Sequence, residues 1–412
     1  MSTYNQNVRR ILVLTSSYPR FNRDSSSVFL RYLYRQLYRY GYDIHIITPD
    51  DPHTGTADHD GIHVHRFRYF PKSLQKLAYG SGIVHNLRNQ PLRWIQVPFF
   101  AVSMFAMFFW LTLKLKPAVV HSHWLVPMGV ISGLLKPFFS YKNIVTSHGS
   151  DIYSFNGVIS SRLKLFALDR ADTWTVNSNA SAQYITGRHP GLSYKTIPMG
   201  VDLDLFSTGN GQYIRAEYEA ENRFVILFVG RLVPQKGIQD LISAFSLLPA
   251  DILSNSLLWI VGKGLLLKQL ETQVKEAGLT SQVRFMGAIP HADLPGYYAA
   301  ADLYVGPSRV DKGGDTESQG VVYLEAFASG TPVIATRVGG IPEVVEHLST
   351  GFLVDPADPV ALSHAIADLY KNKQRRAQFT DQAKNIVHDK YSWESIAQQF
   401  HEIYEADNSP GH

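Results

Sequence analysis

Two carboxylates, Glu317 and Glu325, stand eight residues apart in the segment ESQGVVYLE. Eight residues of α-helix would span about 12 Å, and Glu317 is expected just before the helix begins. Acceptor groups this far apart suit hydroxyls at opposite ends of one long ligand. Backbone amides at the helix N-terminus would face a negative group between those ends. A hexose and a ribose joined by a diphosphate have this layout.

Cationic side chains occur in a second segment, GRLVPQKG at 230–237. Arg231 offers bidentate hydrogen bonds to phosphate oxygens, and Lys236 adds a point charge. Together they would stabilise the negative charge that builds on a departing diphosphate. Gly230 and the glycines at 262 and 264 permit close approach of a ligand to the backbone. Each feature alone is also typical of plain surface, so it is their order along the chain that favours a site.

The elements that would position these groups alternate between buried strands and helices. In the first half the expected strands are 11–15, 44–48, 119–121, 144–146 and 173–176, with a helix at 28–40. In the second half they are 224–229, 257–261, 283–285, 303–305 and 332–335, with helices at 238–248 and 265–277. The pattern predicts an α/β protein with two Rossmann-like, doubly wound parallel sheets.

Proline and glycine interrupt regular structure at 197–202, IPMGVD, between the two alternating blocks. We expect an N-terminal domain at 1–200 and a C-terminal domain at 201–391. A final helix at 392–406 is expected to cross back and pack on the first domain. Ligands of doubly wound sheets bind at the carboxyl ends of the strands, so a central cleft between the halves is the expected site.

Taken in order, the motifs resemble those of the retaining glycosyltransferases of family 4, which have the GT-B fold. The segments that carry the resemblance are GRL at 230–232, KG at 236–237, VGKG at 261–264, ESQGVVYLE at 317–325, ASGTPVIA at 328–335 and VGGIPE at 338–343. The linker also resembles that of the family, with Met199 where asparagine is common. The match covers nearly the whole chain. It implies transfer of a hexose from a nucleotide-diphosphate sugar, of the UDP-glucose or GDP-mannose type, to a lipid-linked, polysaccharide or other glycan acceptor.

The resemblance also implies roles for single residues. Arg231 and Lys236 would bind the donor diphosphate, Glu317 the transferred sugar and Glu325 the ribose. The implied donor contacts are Gly230, Arg231, Lys236, Gly262, Glu317, Ser318, Gln319, Gly320, Val321 and Glu325, with 286–290 beside the base. Retention of the anomeric configuration is implied, with the departing phosphate taking the acceptor proton. The loop 309–316 is longer than in the family, and either a reshaped sugar pocket or a plain surface loop fits it.

Histidines mark the ends of two strands in the first half. His148 follows the strand at 144–146, and the resemblance implies a catalytic position near the reacting carbon, supported by Asp151. The alternative is a histidine that only satisfies backbone groups. His121 and His123 are expected in a loop with no carboxylate nearby, so we favour a role for His123 in shaping the acceptor site over a metal site. Serines at 16–17 and 25–27 replace the family's early glycine-rich loop.

Charge divides unequally between the halves. Residues 1–200 hold 22 Lys and Arg against 9 Asp and Glu, whereas 201–412 hold 17 against 26. Arg31, Arg35 and Arg39 form a basic stripe at helical spacing. The uncharged segment 94–113 is disfavoured as a membrane span because Pro98 interrupts it; a buried helix and a helix at the membrane interface both remain open. We expect a cytoplasmic protein, peripheral on the anionic inner face of the membrane.

The absence of cysteine excludes disulfides, zinc–thiolate sites and a cysteine nucleophile. The first ten residues are polar and basic, so no secretory signal is expected.

We expect no cofactor beyond the nucleotide-sugar substrate, no required metal and no nucleic-acid partner. Asp58, His59 and Asp60 resemble a metal-binding motif, but they lie in a polar loop of the first half and not in the half that carries the expected donor site. Two alternatives remain open: a non-catalytic sugar-nucleotide-binding component of a polysaccharide assembly complex, and a related GT-B phosphorylase or epimerase.

Overall fold

The structure is a computed structural model that describes residues 9–55, 59–80, 82–154 and 157–406. The chain divides into two compact units. The first comprises Met1–Pro198 and Trp393–His412, and the second comprises Met199–Ser392. The division falls within the linker 197–202, and the last helix belongs to the first unit.

A seven-stranded parallel sheet forms the first unit, in the order β3-β2-β1-β4-β5-β6-β7. Its strands are β1 (Arg10–Leu14), β2 (Asp43–Pro49), β3 (His63–Phe67), β4 (Val119–His123), β5 (Lys142–Ser147), β6 (Thr173–Val176) and β7 (Lys195–Thr196). Its helices are α1 (Val28–Arg39), α2 (Ile83–Asn89), α3 (Gln96–Leu115), α4 (Val130–Leu135), α5 (Ser150–Tyr153), α6 (Val158–Asp169) and α7 (Asn179–Thr186).

A six-stranded parallel sheet forms the second unit, in the order β10-β9-β8-β11-β12-β13. Its strands are β8 (Phe224–Val229), β9 (Ser256–Val261), β10 (Val283–Gly287), β11 (Leu303–Gly306), β12 (Val333–Thr336) and β13 (Gly351–Val354). Its helices are α8 (Leu203–Ser207), α9 (Gly211–Glu217), α10 (Ile238–Ser246), α11 (Ala250–Asn255), α12 (Leu267–Glu276), α13 (Leu294–Ala300), α14 (Val321–Ala328), α15 (Ile341–Val344), α16 (Pro359–Lys371) and α17 (Lys373–Tyr391).

The order of strands is the same in both sheets, apart from the extra edge strand β7. In each sheet the chain winds outward from the first strand, reverses beside it, and winds outward again. The prediction of two Rossmann-like, doubly wound sheets is therefore confirmed. Loops at the carboxyl ends of the two central strands flank the point of reversal, where such folds bind ligands. In the second unit these are the loops after β8 and β11.

Apolar side chains cover both faces of the second sheet. Along β8, Val225, Leu227 and Val229 pack into one core, while Ile226 and Phe228 pack into the other. Successive strand residues point to opposite faces, so a strand buried on both sides must be apolar throughout. This explains why the run FVILFV could be recognised as a strand from sequence.

The final helix, α18 (Trp393–Glu405), packs against α1 in the first unit. Tyr32 of α1 stacks on Trp393 with ring centroids 6.1 Å apart, and Tyr42 donates a hydrogen bond of 2.8 Å to Glu405. Ile396, Phe400 and Ile403 are buried on one face, as the apolar spacing predicts. The chain therefore returns from the second unit to complete the first.

Pro98 does not interrupt the apolar segment, which corrects the sequence-based interpretation. The helix α3 begins at Gln96, so the proline lies in the first turn, where no hydrogen bond within the helix is lost. Phe100, Met104 and Phe108 pack on the sheet, but the opposite side of the helix is exposed. By length and composition, the helical segment Pro91–Leu115 meets the requirements for crossing a membrane. It is not an ordinary buried helix.

The basic stripe on α1 is largely neutralised by acidic partners of the same unit. Arg31 binds Asp60 at 3.0 Å, and Arg35 lies 3.8 Å from the same carboxylate. Arg39 lies 3.9 Å from Glu394. Each arginine of the stripe thus has a carboxylate within 4.0 Å, while Arg35 and Arg39 remain 51% and 60% exposed. Asp58, named above with His59 and Asp60, lies outside the described residues.

Candidate active site

Lys236 and Glu317 are brought together as an ion pair in the second unit. Lys236 ends a short 3₁₀ turn after β8, and its Nζ contacts Glu317 Oε2. The two side chains are only 16% and 19% exposed, so their attraction is screened less than at an open surface. The carbonyl oxygen of Glu317 accepts a hydrogen bond of 3.1 Å from the amide of Gly340. The carboxylate of Glu317 is thus held by Lys236, and its backbone is held by Gly340.

The loop that carries Lys236 is fastened to the loop after β9. The amide of Gly230 donates to Val261 O at 3.0 Å, and the amide of Leu232 donates to Lys263 O at 3.0 Å. A Cβ at Gly262 would lie 1.8 Å from Gly230 O, and its φ of +143° also disfavours other residues. Glycine is therefore required at 262 by the close approach of the two loops. Gly230 and Gly262 meet each other as neighbours within the site.

Arg231 lies in the same loop with an exposed side chain. Within the described part of the chain its guanidinium has no hydrogen-bond or ion-pair partner. A guanidinium in this condition retains all five donors for an incoming anion. Lys236 is instead already neutralised by Glu317. The two cations predicted from sequence therefore differ in their surroundings.

The longer loop 309–316 is fixed to this site at its beginning. Arg309 donates from its amide to Gln235 O at 2.9 Å and from Nε to Pro234 O at 3.1 Å. Its guanidinium also lies 3.3 Å from Asp240. Asp311 accepts hydrogen bonds from two amides within the loop. The loop thus begins against the turn that carries Lys236, while residues 312–314 in its middle are exposed.

The helix α14 begins at Val321, after Gly320, so Glu317 precedes the helix by four residues. Gly320 has a φ of +85°, and a Cβ there would lie 2.4 Å from the ring of Tyr323. The side chain of Gln319 binds the backbone of Met199, accepting from its amide at 2.6 Å and donating to its carbonyl at 3.1 Å. Only the main chain around Gln319 is thus available to a ligand. Ser318, next to it, is also buried.

Glu325 is buried on α14 and held by two side chains that sequence reasoning missed. Tyr298 donates to Oε2 at 2.8 Å, and His291 Nε2 lies 3.2 Å from Oε1. His291 immediately follows the segment 286–290, which was expected beside the base. In that segment, Gly287 O accepts a 2.7 Å hydrogen bond from Gly262 N. The feature of the sequence that could have indicated a role for His291 is its position directly after this segment.

In the first unit, His148 follows β5 and is hydrogen-bonded to His123 at the end of β4. His148 Nε2 lies 2.9 Å from His123 Nδ1. The rings stack with centroids 5.1 Å apart, and Phe29 and Trp124 pack around His148 at 5.1 and 4.9 Å. Within the described residues, Nδ1 of His148 has no hydrogen-bond partner. That nitrogen is available to a ligand.

A buried chain of hydrogen bonds continues behind His123. Its Nε2 lies 2.6 Å from Tyr34 OH, which lies 2.9 Å from His121 Nδ1. His121 also contacts Tyr404 OH at 2.7 Å and Thr146 Oγ1 at 2.6 Å. The strand β4 extends to His123, two residues beyond the expected strand 119–121, so the two histidines do not lie together in a loop as expected. Their ring nitrogens are used by protein partners, so these two residues do not form a metal site.

Asp151 supports His148 through the backbone and not through the imidazole. Its Oδ1 accepts from the amide of His148 at 3.0 Å, and its Oδ2 accepts from the amide of Leu125 at 2.9 Å. Burial raises the pKa of Asp151, and these amides oppose that shift. The carboxylate therefore joins the turns after β4 and β5. The orientation of the His148 ring is set by His123.

The buried histidines predict a loss of stability in acid. His121 and His123 are 0% and 1% exposed; burial lowers the pKa of His121 to about 3 and that of His123 well below its ordinary value. Below the unfolded pKa near 6.5, the unfolded chain takes up protons that the folded chain does not. The free energy of unfolding should therefore fall from that pH toward 3, by up to about 1.4 kcal/mol per pH unit for each histidine. Urea unfolding at a series of pH values measures this slope.

A substitution separates this effect from general acid denaturation. His121→Gln removes one of the buried titrating groups and should make the slope shallower, and His364→Gln on the exposed face of α16 is the surface control. Equal slopes for His121→Gln and the parent chain would contradict the assignment.

Comparisons with known proteins agree with this architecture. Residues 26–205 match the model for Glycosyltransferase Family 4, and residues 211–386 match that for Glycosyl transferases group 1. The chain is 30% identical to a GDP-mannose-dependent alpha-(1-6)-phosphatidylinositol monomannoside mannosyltransferase of Mycolicibacterium smegmatis, over 67% of this chain and 73% of that protein. It is 31% identical to D-inositol 3-phosphate glycosyltransferase of Corynebacterium jeikeium, over 71% and 73%. The structure of sucrose-phosphate synthase from Thermosynechococcus elongatus matches with a TM-score of 0.77 and 25% identity, over 96% and 98%.

Proposed function

The chain belongs to glycosyltransferase family 4, and on that premise we propose that it moves a hexose, with retention of configuration, from a nucleotide-diphosphate sugar to a lipid-linked or glycan acceptor. The observation that carries the proposal is the ion pair of Lys236 with Glu317, in the same loop as Arg231, whose guanidinium has no partner among the described residues. In the part of the chain that the structure describes, one cation is thus unpaired and the other is held by a carboxylate. This is a suitable arrangement for a ligand that has both a diphosphate and sugar hydroxyls.

The donor diphosphate would exchange partners with Glu317. When the phosphates arrive, Lys236 turns from the carboxylate to a phosphate oxygen, and Arg231 adds bidentate hydrogen bonds. Glu317 is then released to accept hydrogen bonds from hydroxyls of the hexose. The amides of Gln319, Gly320 and Val321 at the start of α14 contribute further donors to the phosphates. Both members of the ion pair would thus contact the donor, Lys236 at a phosphate and Glu317 at the hexose.

Glu325 would hold the ribose through lone pairs not used by Tyr298 and His291. Tyr298 fixes one carboxylate oxygen at 2.8 Å, and His291 lies near the other. A carboxylate held by two donors still has acceptor capacity for a hydroxyl. The segment 286–290 directly before His291 would border the base.

In the reaction, the bond between the anomeric carbon and the phosphate oxygen breaks, and its electron pair leaves with the diphosphate. The acceptor hydroxyl oxygen bonds to the same carbon from the same face, and its proton passes to the departing phosphate. Arg231 and Lys236 stabilise the charge that develops on the diphosphate. His148 would position the reacting sugar or the acceptor through its available Nδ1. No strong protein base is needed for this sequence.

We propose GDP-mannose as the donor, because the mycobacterial relative is named GDP-mannose-dependent. UDP-glucose is the alternative. A panel of nucleotide sugars should be screened first by thermal shift and then by release of free nucleoside diphosphate. Release of GDP from GDP-mannose supports the proposal. Release of UDP from UDP-glucose would show that UDP-glucose is the donor, and the proposed transfer reaction would still stand. Formation of a sugar 1-phosphate that requires inorganic phosphate would indicate a phosphorylase instead.

Turnover is expected to need no divalent metal, since Arg231, Lys236 and the start of α14 supply the positive groups. The assay should therefore give the same rate after treatment with EDTA. Loss of activity with the chelator and recovery with Mn²⁺ would show this expectation to be wrong.

We propose further that the first unit attaches to an anionic membrane surface through α3, as suits a cytoplasmic enzyme with a lipid-linked acceptor. Phe99, Val102 and Phe109 are exposed along one side of the helix, and Trp110 and Leu113 adjoin them. The other side is packed in the core of the unit, so crossing a bilayer would require that core to open. Contact with the interface buries the apolar face and leaves the sheet intact.

Sedimentation with vesicles tests this attachment. At low salt the protein should sediment with vesicles that contain phosphatidylglycerol and bind less to phosphatidylcholine alone. Val102→Glu, at a side chain that is 67% exposed, should weaken sedimentation. Val360→Glu, at a 54% exposed position on α16, is the matched control. Absence of binding to anionic vesicles, or equal binding by both variants, would rule out this surface.

A further inference from the structure

Four side chains that can bind or orient a metal lie on one face at the edge of the first sheet. The parallel strands β2 and β3 pair with His45 opposite His63. Asp43 precedes His45 by two residues, and His65 follows His63 by two. Because successive strand residues point to opposite faces, all four share one face. The edge strand β3 is thus joined to β2 by a carboxylate and three imidazoles.

The distances between the ligand atoms match those around a small metal ion. Asp43 Oδ1 lies 3.1 Å from His45 Nε2 and 3.6 Å from His63 Nε2, and all three atoms lie within 4.8 Å of one another. Ligands about 2.0–2.2 Å from a tetrahedral Zn²⁺ lie about 3.3–3.6 Å apart. Small side-chain adjustments would therefore give three protein ligands, with water as the fourth.

His45 provides the second observation. The residue is 92% buried, since its exposed fraction is 8%, and its Nε2 has no hydrogen bond of regular geometry although Asp43 Oδ1 is near. A buried polar atom in this condition requires an explanation. A metal ion between Nε2 and the carboxylate would satisfy both atoms.

His65 orients His45 from behind. His65 Nε2 lies 3.0 Å from His45 Nδ1, and the two rings stack with centroids 5.2 Å apart. Nε2 of His65 is thus placed to accept a hydrogen bond from Nδ1 of His45. A ligating imidazole normally donates its other N–H to such an acceptor, which fixes the ring. On the other side, Arg10 Nε contacts Asp43 Oδ2 at 3.3 Å and leaves Oδ1 available.

We propose that Asp43, His45 and His63 bind a divalent transition metal of the Zn²⁺ type, which fastens the edge strand β3 to β2. The set of two imidazoles and one carboxylate suits Zn²⁺, Co²⁺ or Ni²⁺ better than Mg²⁺ or Ca²⁺. Arg10 and the nearby Lys114 repel a cation and keep the affinity moderate. The three ligands join β2 to β3, and none of them is a residue assigned to the donor, so the metal supports the fold and not the turnover.

Tag-free protein, treated with EDTA and then dialysed, provides the test. Calorimetric titration with ZnCl₂ should give one ion per chain, and saturation should raise the melting temperature by a few degrees. Co²⁺ bound in the same place should show visible absorption bands. Asp43→Asn and His63→Ala should each weaken binding at least about 10-fold, and His65→Ala, which alters only the orienting residue, by about 10- to 100-fold.

The controls separate this site from weak binding to surface histidines. His63 has a side chain that is 60% exposed, so its replacement should not unfold the chain, which circular dichroism can verify. His364→Ala removes an exposed histidine elsewhere and should leave both the stoichiometry and the melting shift unchanged. Zn²⁺ binding that is absent, or that is unchanged in Asp43→Asn and His63→Ala, would overturn the proposal.

Discussion

Replacing Lys236 with alanine is expected to lower kcat by roughly 10²-fold or more, because the ammonium stabilises charge on the departing diphosphate. Lys236 lies beside Glu317, so its loss also leaves that carboxylate without its cation. The parent and variant chains should be compared by release of nucleoside diphosphate under saturating donor. A fall in kcat that exceeds the change in KM identifies an interaction made mainly in the transition state.

Arg231→Ala tests the same role with less structural disturbance. The guanidinium is exposed and has no ion-pair partner in the described part of the chain, so its removal breaks no ion pair there. We expect a loss of similar size with an unchanged melting temperature. Lys268→Ala, at an exposed position on α12, is the matched control and should retain full turnover. Unchanged rates in both Arg231→Ala and Lys236→Ala would contradict the proposed leaving-group site.

Strands buried on both faces could be identified from sequence because they are apolar throughout. The apolar run FVILFV at 224–229 was predicted with the bounds that the structure has. The bounds of 173–176, TWTV, were also predicted correctly, although two of its four residues are threonine. The edge strand β3 was missed, since its sequence HVHRF mixes apolar residues with histidine and arginine. Its exposed face removes the continuous apolar pattern on which the prediction depended. The imidazoles that obscured β3 are also those of the proposed metal site.

The sequence predicted which charged residues belong to the site better than it predicted the partners that they bind. The sequence indicated that Lys236 and Glu317 belong to one site, and the two form an ion pair. It did not indicate that Gln319 would bind the linker at Met199, because that contact joins residues 120 positions apart. Likewise, the arginine stripe on α1 could be read from its spacing, but its acidic partners at Asp60 and Glu394 come from elsewhere in the chain.

Removal of the imidazole in His148→Ala is expected to lower kcat by about 10²-fold, the lower end of the range for a positioned proton-transfer or hydrogen-bonding group. Burial lowers the pKa of His148 to about 3, so the ring is neutral throughout the range near neutrality. The titration of His148 should therefore give no step near pH 6.5 in the pH profile of kcat. The profiles of the parent chain and of His148→Ala should have the same shape in that range. A step there that disappears in the variant would mean that His148 titrates during the reaction.

Replacing His123 tests whether its contact with His148 supports turnover or only the structure. His123→Phe would keep a ring stacked on His148 but remove the 2.9 Å hydrogen bond to its Nε2. Because His123 acts through His148, we expect a smaller loss of kcat, about 10-fold, with little change in the KM for the donor. In the His148→Ala background the same change should cost almost nothing further, since residues that act as one unit are not additive. Full additivity would show that His123 affects turnover independently, through the buried hydrogen bonds to Tyr34 and His121.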